Sequence, residues 1–415
     1  MKILLATDVF PPKSGGSGWS TFYLARALQQ RGHVVRVALP KRGIDGTQTR
    51  VYENINVVEV GYRASNVPGL RAWQRTNAIE KTFSAYLAEC AREFDAIHAQ
   101  HMLSISAASA AKKITRVPVI STVRDYWHVC LYGTLWRDNA ICPICRGGEI
   151  THCLKQKYGG AAKWMRPAVP FVERELTRRQ RALQNSDAVI AVSEFVADTL
   201  RGIVANENLH VVPNLVDADE TARTAQNALN NTRLAIRDTR YAMYVGKLNV
   251  FKGADALPEI LEKSGVALPL VVAGDGELKN VLAQCKQIEL RGWLANPETL
   301  ALLARAEILL FPSRWAEPLA RTILEAQALG VPTIALNTGG TRDMISDNVN
   351  GLLAANMDEF AAQLRRLAGD AELRARLSEN AKRAAREKFS PNIVAEKLES
   401  IYQRALQHSA SGIPL

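Results

Sequence analysis

Apolar residues in this chain gather into short unbroken runs, separated by stretches with helical spacing and by clusters of glycine, proline and polar residues. KILLAT, HVVRVALP, AIHAQ, VPVISTV and AVIAVS mark the first half, and YAMYVG, LPLVVAGDG, IELRGW, AEILLFPS and VPTIAL the second. Runs this short and this apolar, bounded by turn residues, predict strands covered on both faces, and the stretches between them, such as that from about Ser20 to Arg31, predict helices. Strand and helix alternate through both halves, on either side of a polar stretch around Asp217 to Thr239 that reads as a linker. The expected class is α/β: two Rossmann-like, doubly wound parallel sheets, facing each other across a cleft.

Composition changes this picture little. A chain of 415 residues that is 47% hydrophobic suffices for two cores of ordinary size. No run approaches the ~18 apolar residues of a membrane span; the best candidate, Leu300 to Phe311, is interrupted by Arg305 and Glu307. The apolar start of the chain stops at Asp8 with no cleavage site behind it, so it predicts a buried strand in a soluble or peripheral protein. Charge says more. Residues 1–215 carry 28 Lys and Arg against 17 Asp and Glu, an excess equal to the whole net charge of +11, whereas the remainder balances at 24 against 24. Between Leu154 and Gln184 the cations Lys155, Lys157, Lys163, Arg166, Arg174, Arg178, Arg179 and Arg181 surround Trp164, Met165, Phe171 and Val172. That mixture suits an interfacial helix on anionic lipid and equally a solvated helical face. No nucleic-acid module accompanies it, and a nucleic-acid partner is not expected.

The most specific chemistry lies in Glu317-Pro-Leu-Ala-Arg-Thr-Ile-Leu-Glu325, two carboxylates eight residues apart. Pro318 suits a first helical position and Gly330 a helix stop, so the pattern places Glu317 in an entry loop and Glu325 two turns inside, roughly 12 Å along the axis at about 1.5 Å per residue. A nucleotide sugar has that reach: one acid for hexose hydroxyls, the other for ribose hydroxyls, and the positive helix end for the diphosphate between them. Upstream, the run YAMYV enters Gly246-Lys247 and then Lys252-Gly253, followed by Val271-Val-Ala-Gly274-Asp-Gly276. Two preplaced ammonium groups stabilise a departing diphosphate without requiring a metal, although a turn with solvated lysines has the same sequence. Near the N-terminus, Pro11-Pro-Lys-Ser-Gly15-Gly16-Ser-Gly18 joins the first strand to the first helix and either admits a ligand to backbone N–H groups or is a flexible turn.

With these elements in this order the chain resembles the retaining glycosyltransferases of family 4, which have the GT-B architecture, over essentially its whole length. The motifs carrying the likeness are Gly15-Gly16, Gly246-Lys247 with Lys252-Gly253, Ala273-Gly274-Asp-Gly276, Glu317 with Glu325, and Gly339-Gly340, together with Val212-Pro-Asn-Leu-Val-Asp217. Leu215 replaces a glycine of that last element, Asp343 stands where Glu is usual, and Arg124 stands before Asp125 where many members have His. The stretch DYWHVCLYG from Asp125 resembles a subgroup with Asp-Tyr-Trp followed by Cys. The resemblance implies an acceptor-binding domain over 1–215, a donor-binding domain over 216–390, and a final helix that returns to the first domain over 391–415. It implies a donor site of Gly15, Gly16, Gly246, Lys247, Lys252, Gly274, Trp293, Glu317, Pro318, Leu319, Ala320 and Glu325, with Glu317, Lys252, Lys247 and Asp125 carrying catalysis. The implied activity is retaining transfer of a hexose from a UDP- or GDP-sugar to a glycan or lipid-linked acceptor in cell-surface polysaccharide or lipopolysaccharide synthesis, by a cytoplasmic enzyme peripheral to the membrane. A GT-B epimerase and a non-catalytic partner of another transferase are the competing readings.

Asp125 either orients a hydroxyl or caps a helix, and Arg124, permanently protonated, serves as no base. Cys130, Cys142, Cys145 and Cys153 fall within 24 residues as C-x11-C-x2-C-x7-C. A CxxC turn presents two thiolates to one tetrahedral ion, so structural zinc is one reading and four reduced thiols in a loop the other; His128 and His152 are alternative ligands.

Overall fold

The computed structural model describes residues 1–12, 14–64, 70–138, 140–142, 145–160, 167, 169–231 and 240–411. The chain forms two compact units, one comprising Met1–Leu135, Cys142–Pro213 and Val394–Leu415, the other Trp136–Ile141 and Asn214–Ile393.

The first unit is an eight-stranded sheet. Its strands are β1 (Lys2–Ala6), β2 (Val34–Arg42), β3 (Thr47–Tyr52), β4 (Ile55–Tyr62), β5 (Ala96–Ala99) and β6 (Val119–Val123), and, beyond the small hairpin β7 (Trp136–Arg137) and β8 (Ala140–Ile141), β9 (Ala188–Ala191) and β10 (Leu209–Val211). Their order is β10-β9-β6-β5-β1-β2-β4-β3, parallel except for β3 against β4. β1, β5, β6 and β9 are buried along nearly their whole length, which is why they read as unbroken apolar runs. β3 escaped that reading because it is an exposed edge, joined to β4 through Glu53 and Asn54, both at positive φ in a two-residue turn. Strand order reverses between β1 and β5, so the loops after these two strands flank the crevice where doubly wound sheets bind ligands. The final helix, Pro391–Ser411, is fixed to this sheet through Tyr402, whose hydroxyl lies 2.6 Å from His98 Nδ1; the other ring nitrogen meets Thr122 Oγ1 at 2.7 Å. Burial and the nearby Arg124 push His98 down to about 3, so this buried ring is neutral.

The second unit carries β11 (Ala242–Val245), β12 (Leu270–Ala273), β13 (Ile288–Gly292), β14 (Ile308–Phe311), β15 (Thr333–Leu336) and β16 (Leu352–Ala354) in the order β13-β12-β11-β14-β15-β16, all parallel. Alternate residues serve opposite faces. Ala242 and Tyr244 join Leu257, Ile260, Phe360 and Leu364 in one core, while Tyr241 and Met243 join Leu302, Leu303 and Ala326 in the other. The reversal here falls between β11 and β14. The stretch expected as a linker is helical over Ala218–Asn231: Asp217 caps it through the Glu220 N–H at 2.9 Å, and it buries Thr221, Ala225 and Ala228, residues too small and mild to stand out as an apolar stripe.

Candidate active site

In the second unit the loops after β11 and β14, on either side of the strand-order reversal, meet in a buried ion pair. Lys252 Nζ donates to Glu317 Oε1, the Ser313 hydroxyl donates to the same oxygen at 2.9 Å, and the ammonium stands 4.2 Å from the centre of the Trp315 ring. Glu317 is 5% exposed, and its Oε2 has no protein partner among the described residues. The loops that carry the pair are locked to one another by backbone. A side chain at Gly253, itself at φ +72°, would put its Cβ 1.9 Å from the Pro312 carbonyl oxygen, and the N–H groups of Arg314 and Trp315 both donate to Phe251 at 3.0 Å. Gly339, at φ +52°, also lies too close to backbone for a side chain: a Cβ there would meet Ala316 C and Glu317 N and O at 2.6 Å, while the Gly340 N–H donates to the Glu317 carbonyl at 2.7 Å. The glycine pair therefore presses the β15 loop directly onto the backbone of the buried acid.

Beyond Glu317 the structure departs from the sequence expectation. Pro318 is not the first helical residue; Glu317 to Ala320 form an irregular loop, and the helix spans Arg321–Leu329 with Ala320 as N-cap and Gly330 as its left-handed stop. Glu325 consequently sits little more than one turn inside, not two. The contacts that Gly339 and Gly340 make with Glu317 hold the loop away from helical geometry, overriding the preference of Pro318 for a helix start. Glu325 is 6% exposed; Arg321 Nε lies 3.0 Å and Asn296 Nδ2 3.3 Å from its Oε1. Burial raises its pKa, and Arg321 and Asn296 pull against that rise. Gly246 and Gly274 end β11 and β12, with the Gly246 N–H on Ala273 O at 3.0 Å and the Gly274 N–H on Gly292 O at 2.8 Å. Lys247 is exposed on this edge and makes no ion pair among the described residues, and Trp293, just beyond β13, is 77% exposed.

The first unit assembles a separate polar cluster where its own strand order reverses. Gly15 is the N-cap of the helix Gly16–Gln30 and has no capping side chain, and a Cβ on it would meet nothing within 4 Å. Asp8 follows β1 and accepts the N–H groups of Leu103 and Ser104, at 3.2 and 2.8 Å, at the start of the helix Met102–Thr115. Asp125 follows β6, accepts the Trp127 N–H at 3.1 Å, and is pushed up to about 7 by burial, with Asp8 adding to the rise. Arg124 donates to Gln100; Arg179 packs 5.5 Å from the Trp127 ring and donates to the Trp127 carbonyl at 3.0 Å. His101, 2.9 Å from Thr7 Oγ1, is driven down to about 3 by burial and Arg124 and is neutral. Asp8 and His101 were not distinguished as site residues in the sequence, and Arg179 was read only as part of the basic segment. Asp8 closes the first apolar run, and that position is the one signal that marks it.

No disulfide joins any of the six cysteines, and among the described residues no three His, Cys, Asp or Glu side chains are grouped as metal ligands. Cys130 is buried and accepts the Leu135 N–H at 3.4 Å, Cys145 packs on an apolar cluster of Ile150, Leu154, Val172 and Leu176, and Cys130, Cys145 and Cys153 lie around the Tyr132 hydroxyl. Cys130 and Cys145 thus pack among apolar neighbours. The basic segment is likewise partly spent internally: in the helix Val169–Gln184, Val172 and Leu176 are buried, Arg178 pairs with Glu80 and Glu175, and Arg179 with Glu175. Phe171, Arg174 and Arg181 remain exposed, while Lys163, Trp164, Met165 and Arg166 lie outside the described residues. No helix among the described residues is long and apolar enough to cross a membrane.

Two doubly wound sheets, each with polar loops where its strand order reverses and one of them carrying a buried lysine and glutamate there, define a glycosyltransferase fold of GT-B type. Family comparison agrees: residues 14–220 match the model of Glycosyltransferase Family 4 and residues 202–384 that of Glycosyl transferases group 1, and the chain belongs to family 4 as a GT-B glycosyltransferase. It is 26% identical to an uncharacterised glycosyltransferase of Methanocaldococcus jannaschii, over 98% of this chain and 99% of that one. It is 25% identical to an MMP alpha-(1->4)-mannosyltransferase of Mycolicibacterium hassiacum, over 99% of this chain and 100% of that one. Among solved structures, Anabaena Alr3699/HepE in complex with UDP-glucose shares the fold with a TM-score of 0.67 at 19% identity, covering 96% of this chain and 100% of that one.

Proposed function

We propose that this glycosyltransferase moves a hexose from a nucleoside diphosphate sugar with retention of anomeric configuration, and that its second unit holds the donor. The observation that carries the reading is the Lys252–Glu317 pair: a buried acid with one oxygen tied to an ammonium and a hydroxyl, and the other left for a sugar hydroxyl. Glu325 then takes the ribose diol, the N–H groups that open the helix Arg321–Leu329 face the diphosphate, and Trp293 lies against the base. In the reaction the bond from the anomeric carbon to the phosphate oxygen breaks as the acceptor oxygen bonds to that carbon on the same face, and the acceptor proton passes to the departing phosphate. Lys252 and Lys247 absorb the charge that develops there, so no protein nucleophile is required. Asp125, poised near neutral pH, and the helix start at Gly15 and Gly16, with open space around Gly15, serve substrate groups on the first unit. An anionic or lipid-linked glycan suits the charge excess of residues 1–215, with Phe171, Arg174 and Arg181 meeting an anionic membrane surface from the cytoplasmic side in cell-surface polysaccharide synthesis.

NMR of the glycosylated product tests the mechanism. Retention of the donor's anomeric configuration supports it and inversion overturns it. Glu317→Ala is expected to abolish turnover, and a variant that still turns over removes Glu317 from the chemistry.

A further inference from the structure

The helix that carries Glu325 does more with this acid than bury it. Arg321, one turn earlier on the same face, approaches Oε1 at 3.0 Å, and Asn296, from the start of the helix Asn296–Arg305, reaches the same oxygen at 3.3 Å. The Arg321 and Glu325 side chains are 10% and 7% exposed, so the pair is almost wholly removed from water. Arg321 is itself held from a second side, its Nη1 standing 3.5 Å from the Leu215 carbonyl. Both contacts on the acid converge on Oε1, and Oε2 has no protein partner among the described residues.

We propose that Arg321 and Asn296 are positioning residues, which fix Glu325 through one oxygen so that the other receives the ribose hydroxyls of the nucleotide. The inference rests on the donor-site reading above. A carboxylate accepts two hydroxyl donors on one oxygen only while ionised and held in one rotamer; once protonated it becomes a donor and loses that capacity. Burial in a site without a cation favours the protonated form, and Arg321 opposes this from within the same helix. Asn296 adds direction, since an amide N–H on Oε1 restricts rotation of the acid. It also links the start of its helix, three residues beyond Trp293, to the acid, so that base and ribose are read by coupled parts of one surface.

The test is calorimetric titration of the full chain with UDP, GDP and ADP and the 2′-deoxy form of each, from pH 5.5 to 8.5, on the wild type, Arg321→Met, Arg321→Lys and Asn296→Ala. Wild type is expected to bind one ribonucleotide, to prefer it over its deoxy form by about 10-fold to 100-fold, as for a hydrogen bond to a charged group, and to show little pH dependence above pH 6. Arg321→Met should lose most of that preference and bind more weakly at low pH, with affinity recovering as pH rises and the acid ionises. Arg321→Lys should restore the flat pH profile. Asn296→Ala, at a half-exposed helix start, keeps the fold and should lose part of the ribose preference. If wild type binds no nucleotide, the donor-site reading itself fails. If wild type discriminates ribose while Arg321→Met and Asn296→Ala keep the same preference and pH profile, or if wild type binds nucleotide without discriminating ribose, the positioning role is overturned.

Discussion

Lys252→Met separates the structural from the chemical role of the central pair. The substitution removes an ammonium from an acid that is 5% exposed and leaves Glu317 with the Ser313 hydroxyl as its one remaining side-chain donor. Breaking a buried pair at one end costs about 3–5 kcal/mol, because the survivor stays charged and desolvated. Lys252 keeps about a fifth of its surface in water, which places the expected loss near the lower end. At roughly 2–4 °C per kcal/mol for a unit of this size, the melting temperature of the second unit should fall by about 6–12 °C. Glu317→Gln in the same chain removes the stranded charge, so the double variant should recover most of that stability. Turnover should not recover. Loss of a charge-stabilising donor costs about 100-fold to 1,000-fold, and the double variant should remain at least as impaired as Lys252→Met. Differential scanning calorimetry and initial rates on all four proteins complete the cycle. Equal melting temperatures for wild type and Lys252→Met, or recovery of activity alongside stability, would refute the reasoning.

Two further outcomes follow from the geometry. Gly339→Ala places a Cβ 2.6 Å from the backbone of Ala316 and Glu317 at positive φ, and should lower both melting temperature and activity, whereas Gly15→Ala, with open space around it, should leave the melting temperature within about 1–2 °C of wild type; thermal melts of both variants check this. Asp125, raised to about 7 from an ordinary 3.8, holds its proton in the folded state where the unfolded chain has lost it, so stability falls as pH rises from about 4 to 7. Asp125→Asn should flatten that part of the stability–pH curve and be more stable than wild type at pH 8; denaturant titrations across that range that coincide for the two proteins would contradict the assignment.

The fold was legible in the chain because its central strands are covered on both faces and carry unbroken apolar runs, as in ILLA of β1 and ILLF of β14. What escaped is held by tertiary contacts or is only half covered. β3 is an exposed edge, and Ala218–Asn231 buries alanines and a threonine, so neither leaves a strong pattern. The start of the Glu325 helix was misplaced because Glu317 to Ala320 answer to the Gly340 N–H and not to local preference. The motifs after β11, β12, β14 and β15 could be grouped from the sequence because parallel strands deliver every C-terminal loop to the same side of the sheet, although their order across that edge, β12-β11-β14-β15, differs from their order in the chain. Asp8, Asp125 and His101 come from three different strand ends, and no spacing rule joins them. The apolar neighbours of Cys145 and the buried setting of Cys130 come from tertiary packing that cysteine spacing does not encode.

The central claim is that the loops after β11 and β14 grip an activated sugar. Isothermal titration of the wild-type chain and Glu317→Ala with UDP-glucose, UDP-N-acetylglucosamine and GDP-mannose tests it most directly. The account predicts saturable heat with at least one of these for wild type, and binding at least 10-fold weaker for Glu317→Ala, as expected for loss of a charged hydrogen-bond acceptor. No heat with any of the three, or equal affinity in the two proteins, would contradict it.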